Sequence, residues 1–359
     1  MRIGWIDSWR GILIFLVVIG HVVGMSYHFV NIEDQRVLSL IYKFIYSFHM
    51  PAFFFLSGMT WEEKSDSLLT FLSKKTKRLV VPYLVWGFIS ACIYILFSSI
   101  FNIIFKGATT EAYLSKGLEE CWTPFVSILH GGGWPNGMGF QCNSVLWFLP
   151  VMFSLLIIFF VIYKIIKSKV LLLFVVVGSF LLSFVIQKSS LSLPWGLTLV
   201  WRYLPYFIFG FFLSGLRGVE YNHDTKRIVW IFSVLLTLLH FFACMIVPDL
   251  YAARNSLVWK LVFLFVALGA TLASLMCSIL MDSRILRSIG KEALVIMIFH
   301  KFIILFFMNI LPVAANIKDV SLLSLLLVLL LISVMTIIMC RFVYYLIKKI
   351  NPKLIGEWK

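Results

Sequence analysis

The chain has 359 residues, of which 61% are hydrophobic and only 13% charged. That is about half the charge of a soluble domain, which excludes an ordinary soluble enzyme, a disordered chain and a small disulfide scaffold. The net charge of +15 comes from Lys and Arg set in short clusters between apolar runs. That pattern encodes membrane topology, and no nucleic-acid partner is expected, because nucleic acid needs a contiguous basic face.

A spanning helix needs about 20 mostly apolar residues. Ten candidates follow one another at about 11–29, 37–60, 79–101, 145–163, 170–187, 198–216, 228–247, 257–280, 292–311 and 320–347. The expected fold class is therefore all-α. Residues 1–359 are expected to form a single polytopic transmembrane domain of about ten helices, with an outer loop at about 102–144 and no separate soluble domain. With the N-terminus inside, the inner segments collect 20 of the 31 Lys and Arg and the outer loops six. The positive-inside rule then puts both termini in the cytoplasm. The first apolar stretch is too long for a signal peptide and no small-x-small cleavage site follows it, so it is expected to be retained.

No repeat of 20–50 residues, phosphate-binding glycine motif or Cys-x-x-Cys occurs. The outer loop holds Trp122, Trp134, Cys121 and Cys142. The two cysteines either form a disulfide in an oxidising compartment or pack as free thiols. Cys92, Cys244, Cys277 and Cys340 lie in spans and read as small hydrophobes.

Ionisable groups at membrane depth are costly and draw attention to function. No Asp or Glu falls in the core of any span, which argues against an ion-coupled transporter. Histidines do. His21 follows Arg10 by 11 residues, about 16 Å along a helix and only about 20° off in azimuth. Asp7 and Arg10 form an i,i+3 pair that can hold the guanidinium in place. His49 lies midway along the second span, beside a Pro51 expected to free a carbonyl, and His300 lies some way into the ninth. Three imidazoles at similar depth could converge, or each could simply hydrogen-bond a neighbouring helix. His28, His130, His223 and His240 take the structural reading. The basic clusters Lys74, Lys75, Lys77 and Arg78, and Arg284, Arg287 and Lys291, serve either topology alone or a polyanion.

Several segments together resemble the membrane-bound acyltransferase-3 family, and within it the fucose 4-O-acetylase-like group of surface-polysaccharide O-acetyltransferases. They are Asp7-Ser8-Trp9-Arg10-Gly11 with Gly20-His21, and Tyr46-Ser47-Phe48-His49-Met50-Pro51 with Phe53-Phe54-Phe55-Leu56-Ser57-Gly58. Lys75-x-x-Arg78 with Pro82-Tyr83 follows, then Leu146-Trp147-Phe148-Leu149, Arg202-Tyr203-Leu204-Pro205 with Gly210, and Gly290 followed by His300. Their order covers essentially the whole chain. Lys75 stands where many members have Arg, and Lys meets a phosphate as a point charge without the fork. The esterase-like domain that longer members carry is not expected here.

The resemblance implies an integral enzyme of the bacterial cytoplasmic (inner) membrane. It would take acetyl from cytoplasmic acetyl-CoA and pass it to a hydroxyl of an O-antigen, capsule or other exported glycan, or of a lipid-linked sugar. The arginine and histidine matching Arg10 and His21 are regarded as essential in the family. On the chemistry, His21 is the expected general base, with Arg10 and His49 beside it in the catalytic set. Donor phosphates are expected on Arg10, Lys75, Arg78, Arg284 and Arg287. The acceptor is expected on His300, Arg202 and Trp147, and no metal is expected. Membrane lipid is an expected partner, and the sequence leaves a homo-oligomer open. The competing classes are a flippase of lipid-linked sugars, a metal or haem protein using His21, His49 and His300, and a structural anchor.

Overall fold

The computed structural model describes residues 3–26, 32–62, 67–104, 123–131, 143–189, 193–219, 221–246, 256–314 and 321–358. Cys121, Cys142, Trp122, Trp134 and His28 lie outside the described residues. Among those described the chain is all-α and polytopic, with no strand. Among the described residues, eight helices are long and apolar enough to cross a membrane. The chain divides into two compact units, Met1–Glu62 with Tyr206–Leu346, and Glu63–Pro205 with Ile347–Lys359.

The first unit is built on α1 (Gly4–Ser26). After it come α2 (Ile32–Tyr46) and α3 (His49–Met59). The second unit holds α4 (Leu68–Lys75), α5 (Val81–Ile104), α6 (Thr123–His130), α7 (Phe148–Ile165) and α8 (Lys169–Lys188). Helix α9 (Leu197–Phe212) begins in the second unit and ends in the first. It has only 16 residues, about 24 Å, so the span expected at 198–216 is shorter than a bilayer core. The first unit continues with α10 (His223–Ile246), α11 (Leu257–Leu280), the short α12 (Arg284–Lys291), α13 (Ala293–Ala314) and most of α14 (Leu322–Ile350). In α13 the apolar stretch with described side chains is Ala293–Met308.

Helix α1 is the hub of its unit because it carries small residues where other backbones must pass. A Cβ at Gly11 would strike the carbonyl of Leu286, and one at Gly290 would strike the carbonyl of Asp7. Two glycines on facing helices thus bring α1 and α12 to backbone contact, the small-residue packing that membrane interiors favour. Trp9 is fully buried, and its indole N–H donates to Ser274 Oγ on α11 at 3.0 Å. Ile14, Val18 and Val22 pack in one apolar cluster with Ile296 and Ile304 of α13 and Leu329, Ile332 and Ile337 of α14. Gly58 of α3 lies against the Phe207 carbonyl, and Gly210 of α9 against the Phe55 carbonyl.

Other faces are left bare. Ile231, Leu235, Leu238 and Phe242 are exposed along one stripe of α10. Phe174, Val177, Leu181 and Val185 form the corresponding stripe on α8. Such continuous apolar faces suit an acyl-chain environment.

Within the second unit, Tyr83 is fully buried and its hydroxyl donates to the Ile128 carbonyl at 2.8 Å. Trp147 stacks on Tyr203, ring centroids 5.8 Å apart.

Candidate active site

The second span is broken in the middle. Helix α2 ends at Tyr46 and α3 starts at His49, so Ser47 and Phe48 form a turn. Pro51 is the third residue of α3, where its missing N–H removes no helical bond. The break therefore precedes the proline. The carbonyl left short by it is that of Ile45. Phe48 N–H reaches it at 3.3 Å and His49 Nδ1 at 2.9 Å. A carbonyl only accepts, so Nδ1 carries the proton and Nε2 of neutral His49 is a lone pair. The histidine that the break exposes is also the group that satisfies it.

His240 secures the other side of this turn. It is buried on α10, with Nε2 2.7 Å from Ser47 Oγ and its ring 4.3 Å from that of Phe44. Ser47 Oγ donates to the Phe44 carbonyl at 2.9 Å, so it accepts from His240. The structural role expected for His240 is thus a specific one at the break. Its signal in the sequence was weak, a single imidazole near a span end.

The break delivers Tyr46 and His49 to His21 and His300. Tyr46 Oη lies 2.9 Å from His21 Nδ1. The Tyr46 ring meets His49 edge-on at 4.8 Å and stacks on Tyr42 at 3.8 Å. The rings of His21 and His300 are 5.0 Å apart. His300 is fully buried, its Nδ1 donates to the Ile296 carbonyl at 2.8 Å, and its Nε2 has no hydrogen-bond partner. His21 retains partial exposure. Three of the proposed residues, His21, His49 and His300, therefore do converge, and Tyr46 joins them. Tyr46 was visible in the motif Tyr46-x-x-His49, but no role was read from it. Among the described residues no three His, Cys, Asp or Glu side chains are arranged to hold a metal ion.

Arg10 sits inside α1 rather than ahead of it. Its Nη1 is 2.8 Å from Asp7 Oδ1, with Asp7 buried and the Arg10 side chain one-third exposed. Arg287 forms a fork with Asp282, through Nε to Oδ1 at 2.7 Å and through Nη2 to Oδ2. Those bonds hold the Asp282 carboxyl below the usual carboxylate range and push the Arg287 guanidinium up. Ser8 Oγ also donates to Asp282, at 2.6 Å. Arg287 is thus committed to joining α12 to its preceding turn, while Arg284 is exposed.

In the second unit Lys75 lies over the Phe71 ring at 5.1 Å, Arg78 is exposed, and the Arg202 guanidinium is 5.9 Å from the Tyr203 ring that Trp147 stacks on. One charged residue was missed altogether. Arg341, within α14, donates from Nε to Glu292 Oε2 at 2.8 Å and from Nη2 to Ser288 Oγ at 2.9 Å. A lone Arg in an apolar run is a signal for such a partner.

A family model described as an acyltransferase domain matches residues 3–345. The chain belongs to the acyltransferase-3 family. That match takes in His21, Tyr46, His49 and His300, so this acyltransferase carries its imidazole cluster inside the family domain. No curated protein and no solved structure matches the chain.

Proposed function

We propose that this multi-pass acyltransferase moves an acetyl group from cytoplasmic acetyl-CoA to a hydroxyl of a surface or exported glycan, working in the bacterial cytoplasmic membrane with both termini inside. The observation that carries the reading is His21 hydrogen-bonded through Nδ1 to Tyr46, with the ring of His300, whose Nε2 has no partner, 5.0 Å from its own.

In the reactive tautomer His21 Nδ1–H donates to the Tyr46 oxygen, leaving Nε2 as the base. Tyr46 then orients the imidazole, as the third member does in nucleophile–base arrangements. His21 Nε2 takes the proton of the acceptor hydroxyl as its oxygen attacks the thioester carbonyl. The C–S bond breaks, and the proton passes from His21 to the thiolate of coenzyme A. This direct transfer needs no covalent enzyme intermediate. His300 Nε2 is a buried acceptor suited to a second hydroxyl of the sugar. Neutral His49, with its proton on the Ile45 carbonyl, positions Tyr46 rather than offering an N–H to an oxyanion. Arg10 is held by Asp7 to meet the donor's negative charge, and Lys75 and Arg78 supply cations for its phosphates.

The test is transfer of labelled acetyl from acetyl-CoA to glycan by the purified protein in lipid vesicles. It is paired with glycan mass from a strain lacking the protein. Loss of one acetyl mass per repeat with unchanged glycan yield supports the reading. Acetylation that persists without the protein, or glycan missing from the surface while the purified protein transfers no label, overturns it in favour of a flippase.

A further inference from the structure

The helix carrying the Lys75-x-x-Arg78 motif widens into a π turn at Thr76–Val80, closed by Val81 N–H on the Thr76 carbonyl. The cause is Pro82. It has no N–H, so it serves neither the carbonyl of Arg78 four residues back nor that of Lys77 five back. The missing donor comes from far along the chain. The segment after α14 forms a 3₁₀ turn, Pro352–Ile355, capped by Asn351 Oδ1 on the Lys353 N–H. Beyond it, Trp358 Nε1–H donates to the Lys77 carbonyl at 2.8 Å. Trp86 Nε1–H fastens the same segment by donating to the Leu354 carbonyl at 2.8 Å. Gly356 has φ +74°, and a Cβ there would come within 2.7 Å of the Arg78 carbonyl, so the strap lies directly on the turn. Lys77 and Lys353 stand over the Trp358 ring at 5.5 and 5.2 Å.

We infer that residues 352–358 are a positioning strap: Trp358 completes the π turn broken by Pro82 and so fixes Arg78, with Lys77 and Lys353 beside it, as a seat for the phosphates of the acyl donor. Two ammonium groups drawn to one indole ring and an exposed guanidinium next to it concentrate positive charge at one spot. The turn is where a π segment commonly marks function. Trp358 acts through Arg78, so it is a positioning residue. The inference rests on the reading that Arg78 meets the donor.

The experiment measures binding of coenzyme A, and of pantetheine as the phosphate-free probe, to the full chain in neutral detergent, where no anionic lipid competes. Arg78→Ala is expected to weaken coenzyme A by about 10- to 100-fold, the size of a charge-assisted contact. Trp358→Leu is expected to weaken it about three- to tenfold and to leave pantetheine binding unchanged. Trp358→Phe, which keeps the ring under the two lysines, should recover part of the loss. If Trp358→Leu lowers folded yield, Trp358→Phe is read alone, since it removes only the N–H; its coenzyme A affinity then falls if the strap positions Arg78. Coenzyme A binding that is normal in the readable Trp358 variant but impaired in Arg78→Ala overturns the strap. Equal losses for both probes reduce Trp358 to general stability and also overturn it. Normal coenzyme A binding by Arg78→Ala overturns the donor reading itself.

Discussion

Two apolar helices of this protein are interrupted close to a proline, and the interruptions are satisfied in opposite ways. At Ser47–Phe48 the break is buried, and its partners are imidazoles: His49 on the Ile45 carbonyl and His240 on Ser47. At Thr76–Val80 the break lies among exposed cations, and its partner is an indole from the far end of the chain. In lipid every freed backbone group needs a partner inside the protein. Where the partners are themselves acid–base groups, repairing the backbone and assembling chemistry become one event. Where the partner is a remote strap, the turn becomes a binding element that can be disturbed apart from the chemistry.

The largest expected effect strikes the buried break. His21→Ala should lower acetyl transfer per folded protein by on the order of 10²–10⁴, the usual cost of losing an acid–base group. Fluorescence-detected size exclusion should show near-normal abundance, because Ala fits a membrane helix. Near-parental transfer at normal abundance would separate this histidine from the chemistry and leave the break with a purely structural meaning.

A sharper division comes from His300→Leu. The orphaned Nε2 pays for burial with no bond in the resting protein, so removing it should leave the melting temperature in detergent unchanged or raise it. Transfer should nevertheless fall about three- to tenfold, the size of one neutral hydrogen bond to substrate. A variant that is less stable and fully active would reverse the assignment.

The smallest effect belongs to an ion pair outside both breaks. The Asp282 carboxyl is held below its ordinary value chiefly by the Arg287 hydrogen bonds. A depressed folded value means that its contribution is complete above the unfolded carboxyl pKa of about 3.9 and is lost as pH falls through the lower folded value. Asp282→Asn should therefore flatten the acid limb of the melting temperature below about pH 4 while changing coenzyme A binding little. A variant with an unaltered acid limb and weakened donor binding would return Arg287 to the donor site.

The legible part of this protein was whatever follows from one helix at a time. Apolar runs gave the all-α membrane fold, and 3.6-residue periodicity placed Arg10 and His21 on one face and paired Asp7 with Arg10. What required the structure was every choice among partners on different helices. Pro51 drew attention to the second span, yet the break lies ahead of it, because the turn at Ser47 is set by His240 from 193 residues away. Tyr46 stood in the motif without a role, since nothing local says that its hydroxyl meets His21. The strap was illegible for the same reason: Pro82 announces a missing donor but not that Trp358 supplies it.

The pair formed by Arg341 and Glu292 bears on how the protein is made. Ribosomes deliver the chain in order, so Glu292 is in place 49 residues before Arg341 emerges. An arginine at the centre of an inserting helix costs about 2.5–3.5 kcal/mol in the translocon, less towards an end. The waiting carboxylate and Ser288 offset that cost only if α12 and α13 have already been seated. The insertion of α14 is thereby made conditional on its predecessors: a chain in which they fail to dock presents α14 to the membrane with an unneutralised charge. Glu292→Gln should raise the fraction of chains whose segment Leu322–Ile350 is open to protease on nascent membranes, and unchanged protection would show that α14 enters on its own apolar strength.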